Sequence, residues 1–285
     1  MSLKIWIDGK LVDKADAKIS VYDHGLLYGD GVFEGIRVYN GKIFECDAHL
    51  RRFHDSAKAV RLKIPVGPAE LKSIMEQTVE ANGFNECYIR VVVTRGMGSL
   101  GIDPNKCGNP SLIVIADLIQ VYPKEMFEKG ISVITASTLR MHPSALSPRI
   151  KSLNYLNNIL ARIEANDAGV SDAIMLNQEG NVAEATVQNV FIVREGVVMT
   201  PTTHDGILEG VTRKVMIDLC AKLGISCVEK SIQKLDMYIA DEMFLTGTGG
   251  EVMPVTKIDG RQIGSGEVGT ITRKLKEAFH KRTRE

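Results

Sequence analysis

Three places along this 285-residue sequence carry residue types and spacings that could do chemistry. The first is Gly96, Gly98 and Gly101, a GxGxxG directly after the strand-like run YIRVVVT (88–94), with Asp117 ending the next such run. In a dinucleotide-binding fold such glycines let a helix N-terminus approach a pyrophosphate, and the acid meets a ribose. That arrangement needs a crossover helix. The intervening IDPNKCGNP contains Pro104, Gly108 and Pro110, which break or end helices. Without the helix the two strands cannot form a parallel unit, so a long loop between antiparallel strands is expected. The second place is Lys151, where a polar segment meets a helix between Ile150 and Leu153. A lysine amine can form a Schiff base and then shuttle protons, provided burial or cationic neighbours lower its pKa. The alternative is a surface lysine at a helix start, where the macrodipole disfavours its charge. The third is LEGVTR (208–213), which opens a helix over 212–223. Backbone N–H groups at such a start, with hydroxyl and guanidinium donors nearby, are what a phosphate needs.

Other common chemistries are missing from the sequence. There is no GxSxG elbow, no GxxxxGK loop and no HExxH. His49 and His54 are five apart on a helix and do not share a face. The five cysteines (Cys46, Cys87, Cys107, Cys220, Cys227) show no CxxC spacing, which points away from a zinc site and towards a reducing compartment. With 35 basic and 35 acidic residues the formal net charge is zero, so nothing suggests a general attraction to nucleic acid or an anionic membrane. The first eighteen residues hold no apolar signal region, and no apolar run of about 18 residues would span a bilayer. The expectations are a cytoplasmic location, no metal, and small-molecule rather than macromolecular partners.

The elements that must position these residues show in the patterning. KIWI-Asp8-Gly9 and IRVY-Asn40-Gly41-KIFE spell hairpins. A helix opened by Asp47 places Leu50, Phe53, Ala57 and Val60 at helical spacing, and another runs from Pro68 to Gly83. Strands YIRVVVT and SLIVIA (111–116) complete an α+β domain over 1–120. A linker is expected over 121–130 and a larger domain over 131–285. There the strand ISVITAS precedes a helix over 152–169 with Leu156, Ile159, Leu160 and Ile163 on one face. A meander with turns Glu179-Gly180 and Glu195-Gly196 follows, then the helix after LEG, further strands and a basic C-terminal helix.

Seven segments occur in an order that resembles fold-type IV pyridoxal-phosphate enzymes, and branched-chain aminotransferases in particular. They are YGDGVFEGIR (28–37), HLRRFHDSAK (49–58), YIR (88–90), KSLNYL (151–156), EATVQNVF (184–191), LEGVTR (208–213) and GTGGEVMPV (247–255). The resemblance covers nearly the whole chain. It implies a two-domain α+β fold like that of D-amino-acid aminotransferase, with a smaller N-terminal domain and a larger C-terminal one containing a β-meander or pseudobarrel. It implies pyridoxal 5′-phosphate as cofactor, transfer between branched-chain L-amino acids and 2-oxoglutarate, and a homodimer or higher homo-oligomer.

Carried over by motif, the resemblance makes Lys151 the Schiff-base lysine, and Tyr155 the partner of the cofactor's phenolic oxygen. Glu184 faces the pyridine nitrogen, keeping it protonated so that the ring absorbs carbanion charge. Val211, Thr212, Arg52 and Thr248 meet the phosphate, and Leu208 packs on the ring. Tyr28, Phe33 and Tyr88 line the substrate pocket, Arg90 meets a distal carboxylate, Arg37 assists it or forms a strand-face ion pair, and Thr248 with Gly249 faces the α-carboxylate. The loop RGMGSLGIDP reaches an active site, that of a partner subunit in the family's dimers. Two departures fall on the substrate side. Thr248-Gly249-Gly250 stands where Thr-Ala-Ala is usual, and Glu184 is followed by ATVQN where Gly-Ser-Gly-Glu-Asn is frequent. Alternatives on the same scaffold are a D-amino-acid aminotransferase, against which Arg90-Val91-Val92 lacks an Arg-x-His, and aminodeoxychorismate lyase. A binding protein that has lost cofactor chemistry is the alternative from another class.

Overall fold

A computed structural model describes residues 2–284. The chain forms two compact units, one running to Ile119 and including Ile150–Asn154, the other made of Gln120–Arg149 and the chain from Tyr155 onward. The first holds β1 (Lys4–Ile7), β2 (Lys10–Asp13), α1 (His24–Tyr28), β3 (Gly31–Tyr39), β4 (Lys42–Ile43), α2 (Cys46–Ala59), α3 (Pro68–Ala81), β5 (Cys87–Thr94) and β6 (Ser111–Asp117). Its strands form one sheet in the order β2-β1-β6-β5-β3-β4. Both hairpins turn as their sequence demands, with positive φ at Asp8, Gly9, Asn40 and Gly41. β5 and β6 are antiparallel, pairing Tyr88 with Asp117 through Thr94 with Ser111, so the GxGxxG lies in a loop.

Period-two alternation decides what each face of this sheet does. Val32, Ile36, Val38, Ile89, Val91 and Val93 point to one side and bury Leu50, Phe53 and Ala57 of α2 with Leu71 and Met75 of α3. The intervening residues Phe33, Gly35, Arg37, Tyr88 and Arg90 therefore occupy the opposite face. β4 is only two residues long, which leaves the first half of β3 without a neighbour on that edge. Residues 150–154 fill it. Ser152 bridges Val32, the Phe33 N–H donates to the Lys151 carbonyl at 3.0 Å, and the Leu153 N–H donates to the Gly31 carbonyl at 2.9 Å. These ladder bonds place the segment in the first unit rather than with residues 131–285.

The second unit contains α4 (Met126–Lys129), β7 (Ile131–Thr135), α5 (Leu156–Asp167), β8 (Asp172–Leu176), β9 (Val182–Ala185), β10 (Asn189–Arg194), β11 (Val197–Thr200) and α6 (Val211–Lys222). It continues with β12 (Cys227–Glu229), α7 (Lys234–Tyr238), β13 (Glu242–Gly247), β14 (Glu251–Ile258), β15 (Arg261–Gln262) and α8 (Thr270–Arg282). Among the described residues nine strands join in one sheet, and the pairing of β9 with β10 closes β10-β13-β14-β7-β8-β9 into a ring. The expected pseudobarrel is present. Its interior is apolar, with Ile174, Val182, Val190, Leu245 and Met253 fully buried. Among the described residues no helix is long and apolar enough to cross a membrane.

Three expectations change. The linker at 121–130 is not a separate element, because Tyr122 is buried, reaches Asp172 through its hydroxyl and packs edge-on against Phe127. The helix begins at Leu156 rather than at 152, so Lys151 and Tyr155 do not share a helical face. Finally, Leu156, Ile159, Leu160 and Ile163 are exposed in the chain, by 67%, 51%, 46% and 47%. The face turned to the core is instead Asn158, Ala161 and Ala165, whose small side chains let α5 approach Ala136, Ala173 and Met175 closely.

Candidate active site

In the first unit, Lys151 is fixed by its backbone: its N–H donates to Ser56 Oγ at 3.1 Å and its carbonyl accepts from Phe33. Its Nζ lies 4.6 Å from the Phe33 ring centroid. Arg90 Cζ lies 4.4 Å from the same centroid and 5.6 Å from that of Tyr88. One sheet face thus gathers a lysine, two aromatic rings and a guanidinium, in cation–π contact with one another. Arg37 lies further along, over Tyr39 at 5.0 Å and 4.0 Å from Glu86. Tyr28 ends α1, and its hydroxyl accepts from the Gly101 N–H at 2.8 Å, tying it to the loop after β5.

Beneath that face, Glu34 points into the α2 side, fully buried. Arg52 grips it with Nε at 2.7 Å and Nη2 at 2.8 Å, and His49 Nδ1 sits 2.8 Å away. Burial alone would raise the Glu34 pKa, but the Arg52 guanidinium and the His49 hydrogen bond hold it far below the usual carboxylate range. Burial pushes the His49 pKa down, with the Arg52 and Lys151 charges adding to it against Glu34. Arg52, expected at a phosphate, is therefore oriented by a bidentate carboxylate.

In the second unit, Glu184 is 5% exposed at the seam of the barrel, paired across it with Asn189. Both of its carboxylate oxygens are engaged. Arg140 Nη2 lies 2.8 Å from Oε1, while Oε2 accepts from the Leu208 N–H at 3.0 Å and from Asn189 Nδ2 at 3.3 Å. Asn189 also donates to the Leu208 carbonyl at 2.9 Å. Arg140 is braced in turn by Asn158 Oδ1 at 3.0 Å, whose Nδ2 donates to the Thr186 carbonyl. These bonds link the Glu184 and LEGVTR motifs. A side chain at Gly210 would place its Cβ 2.0 Å from Asn189 Oδ1, which is why that position is glycine.

Gly210 is also the N-cap of α6 and offers no capping side chain, so the first N–H groups of the helix, at Val211 and Thr212, have no internal acceptor. Arg213 anchors this end to the Pro201 carbonyl at 2.8 Å and to Glu229 at 2.6 Å. Thr248 and Gly249 form the half-buried turn between β13 and β14, and Tyr155 is the half-buried N-cap of α5.

Arg140, Asn158 and Glu34 carry much of this geometry and are not among the expected site residues. Glu34 is accessible from alternation, since it sits in phase with Val32 and Ile36. Asn158 is marked only by being polar in a helix whose apolar stripe faces outward. Arg140 lies in an irregular segment with no period to betray it.

These two constellations belong to a known lineage. Residues 31–258 match the family described as amino-transferase class IV, and the chain is a member of it. A relative from Methanocaldococcus jannaschii is 49% identical over 97% of this chain and 95% of its own. The branched-chain-amino-acid aminotransferase of Pseudomonas aeruginosa is 38% identical over 96% of this chain and 91% of its own. A T.th. branched-chain amino acid aminotransferase solved with pyridoxamine 5′-phosphate superposes with a TM-score of 0.95 at 37% identity, covering 100% of this chain and 96% of that one. The D-alanine aminotransferase of Bacillus licheniformis is 34% identical over 97% of this chain and 96% of its own.

The protein is thus a class IV aminotransferase that uses pyridoxal 5′-phosphate. The residues present suit that group. An uncapped helix N-terminus at Val211 and Thr212 is an anion site. A buried carboxylate backed by Arg140 is a partner for a protonated ring nitrogen.

Proposed function

We propose that this enzyme transfers the amino group of branched-chain L-amino acids to 2-oxoglutarate. The observation that carries the reading is the Phe33–Arg90–Tyr88 face beside Lys151. A single pocket must accept a branched apolar side chain in one half-reaction and a carboxylate in the other, and here aromatic rings and a guanidinium share one surface.

The cofactor supplies a carbonyl for the amino group and an electron sink for the charge that develops at the substrate α-carbon. Lys151 Nζ takes the proton from that carbon. Glu184, paired with Arg140, faces the ring nitrogen. Val211, Thr212, Thr248 and Arg52 bind phosphate, Leu208 packs on the ring, and Tyr155 donates to its phenolic oxygen. Phe33, Tyr28 and Tyr88 take the apolar chain, Arg90 the distal carboxylate, with Arg37 assisting, and Thr248 and Gly249 the α-carboxylate. The enzyme works in the cytoplasm as a homo-oligomer. The exposed α5 stripe and the exposed Met97, Leu100 and Ile102 support subunit contact, and five free cysteines suit a reducing compartment.

The test follows the cofactor's visible absorbance in single half-reactions. L-leucine or L-valine is expected to change it, 2-oxoglutarate to restore it, and D-alanine to leave it unchanged. No response to any branched amino acid would overturn the reading, and a response to D-alanine alone would favour the D-specific alternative.

A further inference from the structure

The two departures from the family's usual pattern meet in the second unit. Gln188 lies in the tight turn that joins β9 to β10, where the Ala185 N–H donates to the Gln188 carbonyl at 2.8 Å. Its side chain is 3% exposed. The amide Nε2 donates to Tyr122 Oη at 2.8 Å and to Asp172 Oδ2 at 3.3 Å. Tyr122 itself donates to Asp172 at 3.2 Å, and the other oxygen of Asp172 accepts from Thr186 Oγ1 at 2.6 Å. This network pins the amide. Its remaining atom, Oε1, is buried and has no hydrogen-bond partner among the described residues, an arrangement that native interiors rarely tolerate without a reason.

That oxygen points at Gly250. A Cβ built there would lie 2.3 Å from Oε1, 3.0 Å from Cδ and 3.4 Å from the Tyr122 ring. Gly250 does not have the positive φ that would itself demand glycine. Space is the reason instead, and Gln188 has taken it. The neighbouring Gly247 meets the same side chain, with its built Cβ 3.0 Å from Gln188 Cγ. Both ends of the Thr248–Gly249 turn therefore rest against one buried glutamine.

We propose that Gln188 and Gly250 are a matched pair, in which the braced amide fills the volume of a residue-250 side chain and so sets the position of the turn at Thr248 and Gly249. This rests on the reading that the turn receives the substrate's α-carboxylate. Gln188 is then a positioning residue that acts on substrate binding through the turn without touching the cofactor. Adding a methyl at 250 pushes against an amide that cannot retreat without losing Tyr122 and Asp172. Removing the amide opens the space.

The test is a four-protein cycle of holoenzymes: wild type, Gly250→Ala, Gln188→Ala and the double variant. Steady-state KM and kcat for L-leucine, bound-cofactor absorbance and Tm are read for each. Gly250→Ala alone is expected to raise KM about tenfold or more while kcat changes less than about threefold. Cofactor absorbance should be unchanged. In the Gln188→Ala background the same methyl should change KM less than about threefold. An equal rise in both backgrounds overturns the pairing, as does a Tm coupling with no KM change in any variant, which would make the contact merely structural. A wild type that turns over no amino acid sinks the functional reading itself, and is seen before any variant is compared.

Discussion

On the open face of the first unit's sheet, Phe33, Tyr88, Arg90 and Lys151 meet through rings and charges, with contact distances of 4.4 to 5.6 Å. Around Glu184 in the second unit the contacts are an ion pair and directed hydrogen bonds, and one residue accounts for another: Asn189 for Gly210, Asn158 for Arg140, Arg140 for Glu184. Ring contacts tolerate substrates of different shape because they lack a required donor or acceptor geometry. A buried carboxylate has no such latitude, since an unmet charge in the interior is costly. Under the proposed function, the contrast assigns variable recognition to the first surface and invariant electrostatics to the second.

The contrast can be broken in four ways. Lys151→Ala should have the largest effect, lowering turnover by about four orders of magnitude or more while the fold persists, because the amine that moves the proton is gone. Measurable turnover within about tenfold of wild type would remove Lys151 from the chemistry. Next, Arg140→Met leaves Glu184 buried without its cation and should cost roughly 3–5 kcal/mol. Calorimetry would show a lowered Tm and cofactor would be retained poorly; an unchanged Tm would mean that the carboxylate network is not the rigid partner in the comparison.

The third is a matched pair of glycine substitutions. A Cβ at Gly35 would meet Tyr88 Oη at 1.7 Å, the free end of a half-exposed side chain, whereas one at Gly210 meets the braced Asn189 at 2.0 Å. Gly35→Ala should therefore swing Tyr88 aside and raise the KM for L-leucine roughly tenfold with little change in Tm. Gly210→Ala should lower Tm by an amount equivalent to about 1–3 kcal/mol. Reversed outcomes would reverse the assignment of the two regions.

The smallest effect concerns pH. Burial depresses the His49 pKa below its ordinary value near 6.5, so the unfolded chain binds the proton first as pH falls. Stability should be flat above about pH 6.5 and decline below it, with Glu34, also depressed, adding to the loss below about 4.5. His49→Gln should remove the upper part of that decline in a Tm-against-pH profile. An unaltered profile would show that His49 does not titrate across folding.

Local rules made much of this legible beforehand. Asp8-Gly9, Asn40-Gly41, Pro68 and the proline-broken stretch after Gly101 each dictate backbone shape within a few residues, and the elements lie where those rules put them. The stripe on α5 misled because a 3.6-residue period says that two faces differ, not which one is covered. Here alanines cover the core side and the aliphatic side is exposed. The path of residues 150–154 was hidden for another reason. It depends on an edge left open by the brevity of β4, which lies far away in the sequence. Arg140 could be found only from the charge it answers.

The ring of strands is joined at β9 and β10 by a single bridged pair, Glu184 with Asn189. Beyond the tight turn that joins these two strands, this rung alone pairs them, and it carries the acid that holds Leu208 by a hydrogen bond and Arg140 by an ion pair. Under the proposed function, occupancy at that carboxylate is a clasp on the ring of strands. Amide exchange across β9 and β10 should slow when the ring nitrogen is in place, and far less in β5 and β6, so that folding and loading of the second unit become one event.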